Sequence, residues 1–509
     1  EGYVICTRHG NTPGSTLAVK PAKPEDAWSL KLVLSDLDAA LGKRGEMIGA
    51  VLIVGGPEIV PFHRLPNPLD DVDAEVSSDN PYGTRDENYF IPEWPVGRIP
   101  GGAGPDPEPL LKVLSSLAQH QFELARREPR LKAWFARLIR RFWPSGSRIR
   151  PSLGYSAAIW RQASLSVYHP IGEARSLLVS PPVHAPNGIH WLDQEQESQA
   201  NASQARKNGD FHLNPVRMGY FNLHGLVDAV EWYGQKDPSL ASEGPDYPVA
   251  LRPEDICSGN DGDGQASPQV IFSEACYGAH IQGRKVDESV AMKFMVSGSL
   301  AVVGSTCTAY GSISTPLAAA DLLGFAFWNF VNEGLPAGEA LRRARIHLAR
   351  EMHHRQGYLD GEDQKTLISF VLYGDPLAQP RIPGHSPKSF FRTLKPPAQV
   401  KMVCDREDHQ QSGPVSPDVM IYVKNVVSQY LPAMADAQLA VTQEHASCQG
   451  NGCACPTAQM GAKARPSRPV DRKVITLSKQ VQQSSSIHRH YARLTLDSQG
   501  KLVKLVVSR

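Results

Sequence analysis

Short apolar runs alternate with amphipathic stretches along the first three quarters of the chain. Ala50-Val51-Leu52-Ile53-Val54 ends in Gly55-Gly56, the pattern of a buried strand entering a turn. Before it, 26–41 carries Leu30, Leu32, Val33, Leu37 and Leu41 at helical spacing, and 3–8 reads as a strand. Strand, helix, strand predicts a βαβ unit and a parallel sheet. An extended segment at 95–100 leads into a Gly/Pro linker over 101–109, and 110–142 predicts a helix broken near Pro129. The alternation then resumes, with strands predicted at 153–157, 188–192, 218–223, 269–273 and 300–304. Helices are predicted at 287–296, 316–332 and 336–353, the last two opened by prolines at tolerated first-turn positions. Phe370-Val371-Leu372-Tyr373 before Gly374-Asp375-Pro376 closes the region as strand and turn. Beyond Pro383 the character changes: 419–431 is amphipathic and 456–469 is linker-like. A hairpin over 491–496 and 502–507 turns at Asp497-Ser498-Gln499-Gly500.

A chain of 509 residues exceeds one compact core. We expect an N-terminal α/β subdomain over 1–150, a catalytic one over 151–383 and an accessory α+β domain over 384–509. The net charge of +1 gives no reason to expect a nucleic-acid partner. No apolar run approaches the ~20 residues a membrane span requires. Glu1-Gly2-Tyr3-Val4 has no secretory pattern, and a start without Met suggests an excised or processed segment. Eight scattered cysteines make no disulfide framework. The compartment stays open, the cytoplasm slightly preferred to secretion.

The chemistry gathers where two strand runs end. His224-Gly225 follows Tyr220-Phe221-Asn222-Leu223, and Cys276 follows Val270-Ile271-Phe272-Ser273 and Glu274-Ala275. If those strands are parallel neighbours, both side chains emerge at one carboxyl edge, where α/β sheets collect function. A thiol needs a base to become a nucleophile, and an imidazole is the usual one. The small residues Gly225, Ala275 and Gly278 leave backbone N–H groups free to approach a substrate carbonyl.

These strings, in order, resemble the gingipain-type cysteine peptidases, the C25 family of the clan that holds caspases and legumains. The resemblance rests on Leu52-Ile53-Val54-Gly55-Gly56, Ser78-Asp79-Asn80-Pro81-Tyr82-Gly83, Val96-Gly97-Arg98-Ile99-Pro100, Leu223-His224-Gly225, Glu274-Ala275-Cys276, Gly304-Ser305-Thr306 and Tyr373-Gly374-Asp375-Pro376. It covers about 1–383. It implies a caspase-like α/β fold of mostly parallel sheets flanked by helices in two subdomains, followed here by the small α+β domain. Cys276 would be the nucleophile, His224 the general base and acid, and the N–H groups of Gly225 and Cys276 the oxyanion hole. Cys307 and Tyr310 would fall on the loop lining the substrate cleft. The substrate would be a protein or peptide, a regulatory protein partner is possible, and the chemistry needs no cofactor and no metal.

One departure bears on specificity. In gingipains the loop after the first catalytic-subdomain strand carries a third catalytic carboxylate and the acid that selects basic P1 side chains. Here 152–172 holds no Asp or Glu, and carries Trp160, Arg161 and His169 instead. Basic specificity therefore does not transfer from the motif, and Arg161 becomes a candidate to favour an acidic P1 through a charge-assisted pair, with Trp160 beside it. Asp228 or Glu231 are candidates to orient His224. The acidic stretch 70–87 reads as a solvated loop before a calcium site. Cys448, Cys453 and Cys455 with His445 allow a metal, a disulfide or free thiols. The basic segment 126–150 is a candidate processing or docking site. The rival classes are a caspase-like scaffold with latent or lost hydrolysis, and transpeptidation by the same thiol.

Overall fold

The computed structural model describes residues 23–125, 152–182, 216–239, 244–256, 267–380, 400–404, 415–446, 460, 470–483 and 486–509. The expected strands at 3–8 and 188–192, the helix beyond 125, the basic segment 126–150 and the cysteines at 448, 453 and 455 lie outside the described residues.

Eight strands form one sheet in the order Val51–Val54, Val96–Ile99, Phe370–Gly374, Ala301–Ser305, Val270–Ser273, Met218–Asn222, Ser152–Ala157 and Leu177–Ser180. Every neighbouring pair is parallel except Ala301–Ser305 with Phe370–Gly374, which is antiparallel. Two parallel blocks thus meet back to back. Strands on both sides of the expected boundary near residue 150 share this sheet. Its central strands are buried along their whole length, which is why they read as unbroken apolar runs rather than alternations. Helix Ala319–Asn332 packs on Ala337–Gln356 and on Arg161–Tyr168, while Glu108–Ala125 packs on Val290–Val296. This mostly parallel, helix-flanked α/β architecture agrees with the caspase-like expectation.

A second, wholly antiparallel sheet runs Tyr310–Ser312, Leu502–Ser508, Ser486–Leu496, Lys473–Gln483, Gln438–Gln443. Its first strand comes from the peptidase-like region and the rest from the C-terminal region. Helix Pro417–Tyr430 buries Val423, Val426 and Val427 in a core with Ile475, Leu477, Ala492, Leu494 and Val507, and Trp160 joins the same cluster. The hairpin read from sequence is there, extended to 486–496 and 502–508.

Helix Gly361–Ser369 escaped the periodicity reading because it is buried all round despite its polar sequence. Ion pairs explain that burial. Lys365 Nζ lies 2.6 Å from both Asp71 Oδ2 and Asp73 Oδ2. From the C-terminal sheet, Lys504 Nζ reaches Asp360 Oδ1 at 2.8 Å and Asp363 Oδ1 at 3.1 Å, and Arg493 Nε reaches Glu362 Oε1 at 2.5 Å. Charges this deep persist because each is paired; removing one partner of such a pair typically costs ~3–5 kcal/mol.

The acidic stretch is therefore not a solvated loop throughout. Asp71 and Asp73 are spent on Lys365, and Asp79 on the fully buried Arg98, 2.6 Å away. Among the described residues no group of three or more His, Cys, Asp or Glu side chains is arranged to hold a metal ion.

Candidate active site

Strands Met218–Asn222 and Val270–Ser273 are parallel neighbours, Tyr220 opposite Phe272 and Phe221 opposite Ser273. His224 and Cys276 therefore leave the sheet at the same edge. The two turns are in tight contact: a Cβ at Gly225 would stand 2.0 Å from the Cys276 carbonyl oxygen, so no larger residue fits there. Tyr277, immediately after the cysteine, holds the left-handed conformation at φ 54°. Strain of this kind persists only where the surroundings enforce it. They do so here: Tyr277 N–H donates to the Cys307 carbonyl at 3.0 Å and its hydroxyl to Asp73 Oδ1 at 2.7 Å. Asp73 also accepts the Thr308 N–H at 3.0 Å, so the buried Lys365 cluster braces both walls of the cysteine turn.

Cys276 Sγ accepts the Ala309 N–H at 3.2 Å and lies 3.5 Å from the Ala309 carbonyl. Burial pushes its thiol up to about 12, and burial likewise pulls His224 down to about 3. At neutral pH the cysteine is thus a thiol and the histidine a neutral ring. Gln235 Oε1 faces His224 Nε2 at 2.8 Å, and Gln235 Nε2 in turn points to the Tyr247 hydroxyl at 3.2 Å. That orientation of the amide assigns the ring proton to Nε2 and leaves Nδ1 as the basic nitrogen. Gln235 thus takes the place expected for a carboxylate. Asp228 is exposed, and Glu231 accepts from the Val230 N–H and the Tyr233 hydroxyl rather than from His224. Trp160 packs on the imidazole with centroids 4.4 Å apart.

Beside this pair is a closed acidic pocket, and Arg509 fills it. Its side chain is fully buried, with Nη2 at 2.5 Å from Asp321 Oδ2 and 2.8 Å from the Ser312 carbonyl, and Nε at 3.7 Å from Glu274 Oε2. The guanidinium lies over the Trp160 ring at 4.3 Å. Gly311 forms the floor, since a Cβ there would come within 2.1 Å of Arg509 Nη2. Burial, reinforced by the Asp321 charge, holds the Glu274 carboxyl well above the usual range. The Arg509 main chain completes the picture. Its N–H donates to the Ala309 carbonyl at 3.0 Å. Ala309 in turn donates its own N–H to Cys276 Sγ at 3.2 Å, so this one residue bridges the Arg509 main chain and the cysteine.

Of the residues expected to bind substrate, Trp160 lies under the Arg509 guanidinium, Tyr310 pairs with Ser508, and Cys307 is buried with its carbonyl accepting the Tyr277 N–H. Arg161 is exposed at the start of helix Arg161–Tyr168, and the charges lining the pocket are carboxylates. Sequence reasoning missed Gln235, Asp321 and Arg509. Asp321 had a readable signal, the one charged residue in the mostly apolar helix Ala319–Asn332. Gln235 had none, being one neutral residue in a loop.

Fold and site together define a cysteine-peptidase-like α/β protein with a His-Gly turn and a buried cysteine turn sharing one sheet edge. Residues 252–381 match the family described as peptidase family C25, a stretch that holds Glu274, Cys276 and Asp321 and leaves His224 outside. The match bears out the gingipain-type resemblance over those residues and supports a cysteine peptidase in general. No curated protein matches the chain. A solved structure described as a protease aligns over 96% of this chain and 89% of its own, at 11% identity and a TM-score of 0.42.

Proposed function

We propose that the chain is a cysteine endopeptidase that cleaves after basic residues, with Cys276 as nucleophile and His224 as base and acid. The observation that carries this reading is the position of Arg509: its N–H donates to the carbonyl of Ala309, whose own N–H donates to Cys276 Sγ, and its guanidinium lies between Glu274 and Asp321. A P1 arginine of a substrate would take the same place.

In the reaction, His224 Nδ1 removes the Cys276 proton and the sulfur attacks the scissile carbonyl carbon. The carbonyl electrons move to oxygen, where the N–H groups of Gly225 and Cys276 receive the charge. Collapse breaks the C–N bond as His224 returns the proton to the leaving amine. Water, deprotonated by the same ring, then cleaves the thioester and restores the thiol. Gln235 is the positioning residue, holding the imidazole in the productive tautomer. Asp321 and Glu274 supply the basic preference that the loop 152–172 lacks, so Arg161 has no part in it. Residues 1–150 serve as support and 384–509 as an accessory module.

The test is covalent labelling by a peptidyl-arginine acyloxymethyl ketone, with a norleucine analogue alongside. Labelling at Cys276 with arginine preferred, lost in Cys276→Ala, supports the reading. Equal reaction with both probes would remove the basic specificity. Labelling that survives in Cys276→Ala would remove the nucleophile.

A further inference from the structure

The contacts of Arg509 continue back along its strand. Ser508 lies opposite Tyr310, Val507 opposite Gly311 and Val506 opposite Ser312, in antiparallel register, and the Arg509 N–H extends the ladder to Ala309. An extended peptide adding a strand beside a cysteine nucleophile, with one side chain in a deep pocket, is how a peptidase holds the residues before a scissile bond. The neighbouring strand Ser486–Leu496 covers the other half of the centre. The His490 ring stands 4.8 Å from His224, His488 stands 4.6 Å from His490, and Tyr247 closes on both His224 and His490 at 5.4 and 5.1 Å. Cys276 and His224 are fully buried beneath this cover.

The cover is anchored from outside the cleft. Lys504, on the same strand as the docked residues, enters the Asp360, Glu362 and Asp363 cluster, and Arg493 on the next strand joins Glu362. Those pairs fix the strand so that Arg509 falls at the cysteine.

We propose that Leu502–Arg509 is a built-in pseudosubstrate, with Arg509 in the P1 position and Ser508, Val507 and Val506 in P2 to P4, so that the C-terminal sheet holds the enzyme latent until this strand is displaced. The inference rests on the peptidase reading above. It adds that the cleft is self-occupied and that its non-primed side takes an extended peptide with a small P2 and β-branched P3 and P4 residues. It also assigns the C-terminal region a role: it is the inhibitor, and a partner that captures the strand would be the activator.

The experiment uses the full chain and its Val507→Pro/Arg509→Glu double variant, with Arg509→Glu alone as a milder second variant should the proline prevent folding. Proline at 507 removes a backbone donor from the docked strand, and glutamate at 509 meets two carboxylates. The readout is the labelling rate of Cys276 by the peptidyl-arginine ketone. The expected result is at least a tenfold faster rate in the variants, slowed again by added synthetic peptide of the sequence 502–509. Equal, rapid labelling of the parent and the folded variants would overturn self-inhibition and leave the peptidase reading standing. Failure of every folded chain to label, while iodoacetamide alkylates Cys276, would overturn the peptidase reading and the inference with it.

Discussion

Replacing Asp321 by asparagine isolates the charge that the acidic pocket offers to a basic side chain. The substitution keeps the volume and an oxygen able to accept the Ser312 N–H, which Asp321 Oδ2 now takes at 2.5 Å. What it removes is one negative charge, 2.5 Å from a guanidinium with no exposure to solvent. A buried charge deprived of its partner costs ~3–5 kcal/mol, and each 1.36 kcal/mol is tenfold in kcat/KM, so the limit is a loss of about two to four orders of magnitude. The lower end applies here. Asparagine keeps a neutral hydrogen bond, and Glu274 at 3.7 Å remains to carry part of the charge. We expect kcat/KM for a P1-arginine fluorogenic peptide to fall about 100-fold, and for its P1-norleucine analogue to change less than about threefold. The measurement is made in an Arg509→Ala chain, so that the pocket is open to substrate. Glu274→Gln loses less, because Glu274 stands farther from the guanidinium, at 3.7 Å against 2.5 Å for Asp321. A parallel fall for both substrates would show that Asp321 supports the fold of helix Ala319–Asn332 rather than reading the P1 charge. Undiminished arginine preference would show that the pocket is not the specificity site.

Two further outcomes follow from the same geometry. Gln235→Ala frees the imidazole that Gln235 holds at 2.8 Å, and should lower kcat by about 10- to 100-fold with KM little changed, whereas Gln235→Glu should move the acid limb of the pH–rate profile upward by placing a carboxylate beside the ring. A KM effect alone would assign Gln235 to substrate binding. Acid should loosen the cover. Burial holds His224 at about 3, His488 at about 4 and His490 well below its ordinary value, with Arg509, Lys479, Asp228 and Asp73 as the charged groups around them. Undocked imidazoles protonate near pH ~6.5, so below that the undocked state binds protons the docked one refuses. Docking is at full strength above about pH 6.5 and weakens as pH falls, by up to ~1.4 kcal/mol per pH unit for each ring. Hydrogen exchange across 486–496, corrected for intrinsic rates, should show protection dropping between pH 7.5 and 5; constant protection would refute the coupling.

The parts of this protein legible in its sequence are those set by local pattern. Central strands such as Val270–Ser273 and Met218–Asn222 are mostly apolar and buried throughout because both faces are covered, and their ends announce His224 and Cys276. Length and spacing alone placed the long helices and the last hairpin. Tertiary structure decided what depends on charges meeting across long separations. Lys365 finds Asp71 and Asp73, Lys504 finds the turn at Asp360, and Arg509 finds Asp321 and Glu274, each pairing joining segments that no periodicity connects. The acid missing from the loop after Ser152–Ala157 suggested a pocket without negative charge. The two carboxylates around Arg509 come from the cysteine turn and from helix Ala319–Asn332, because side chains converge in space and convergence has no signature in the order of residues.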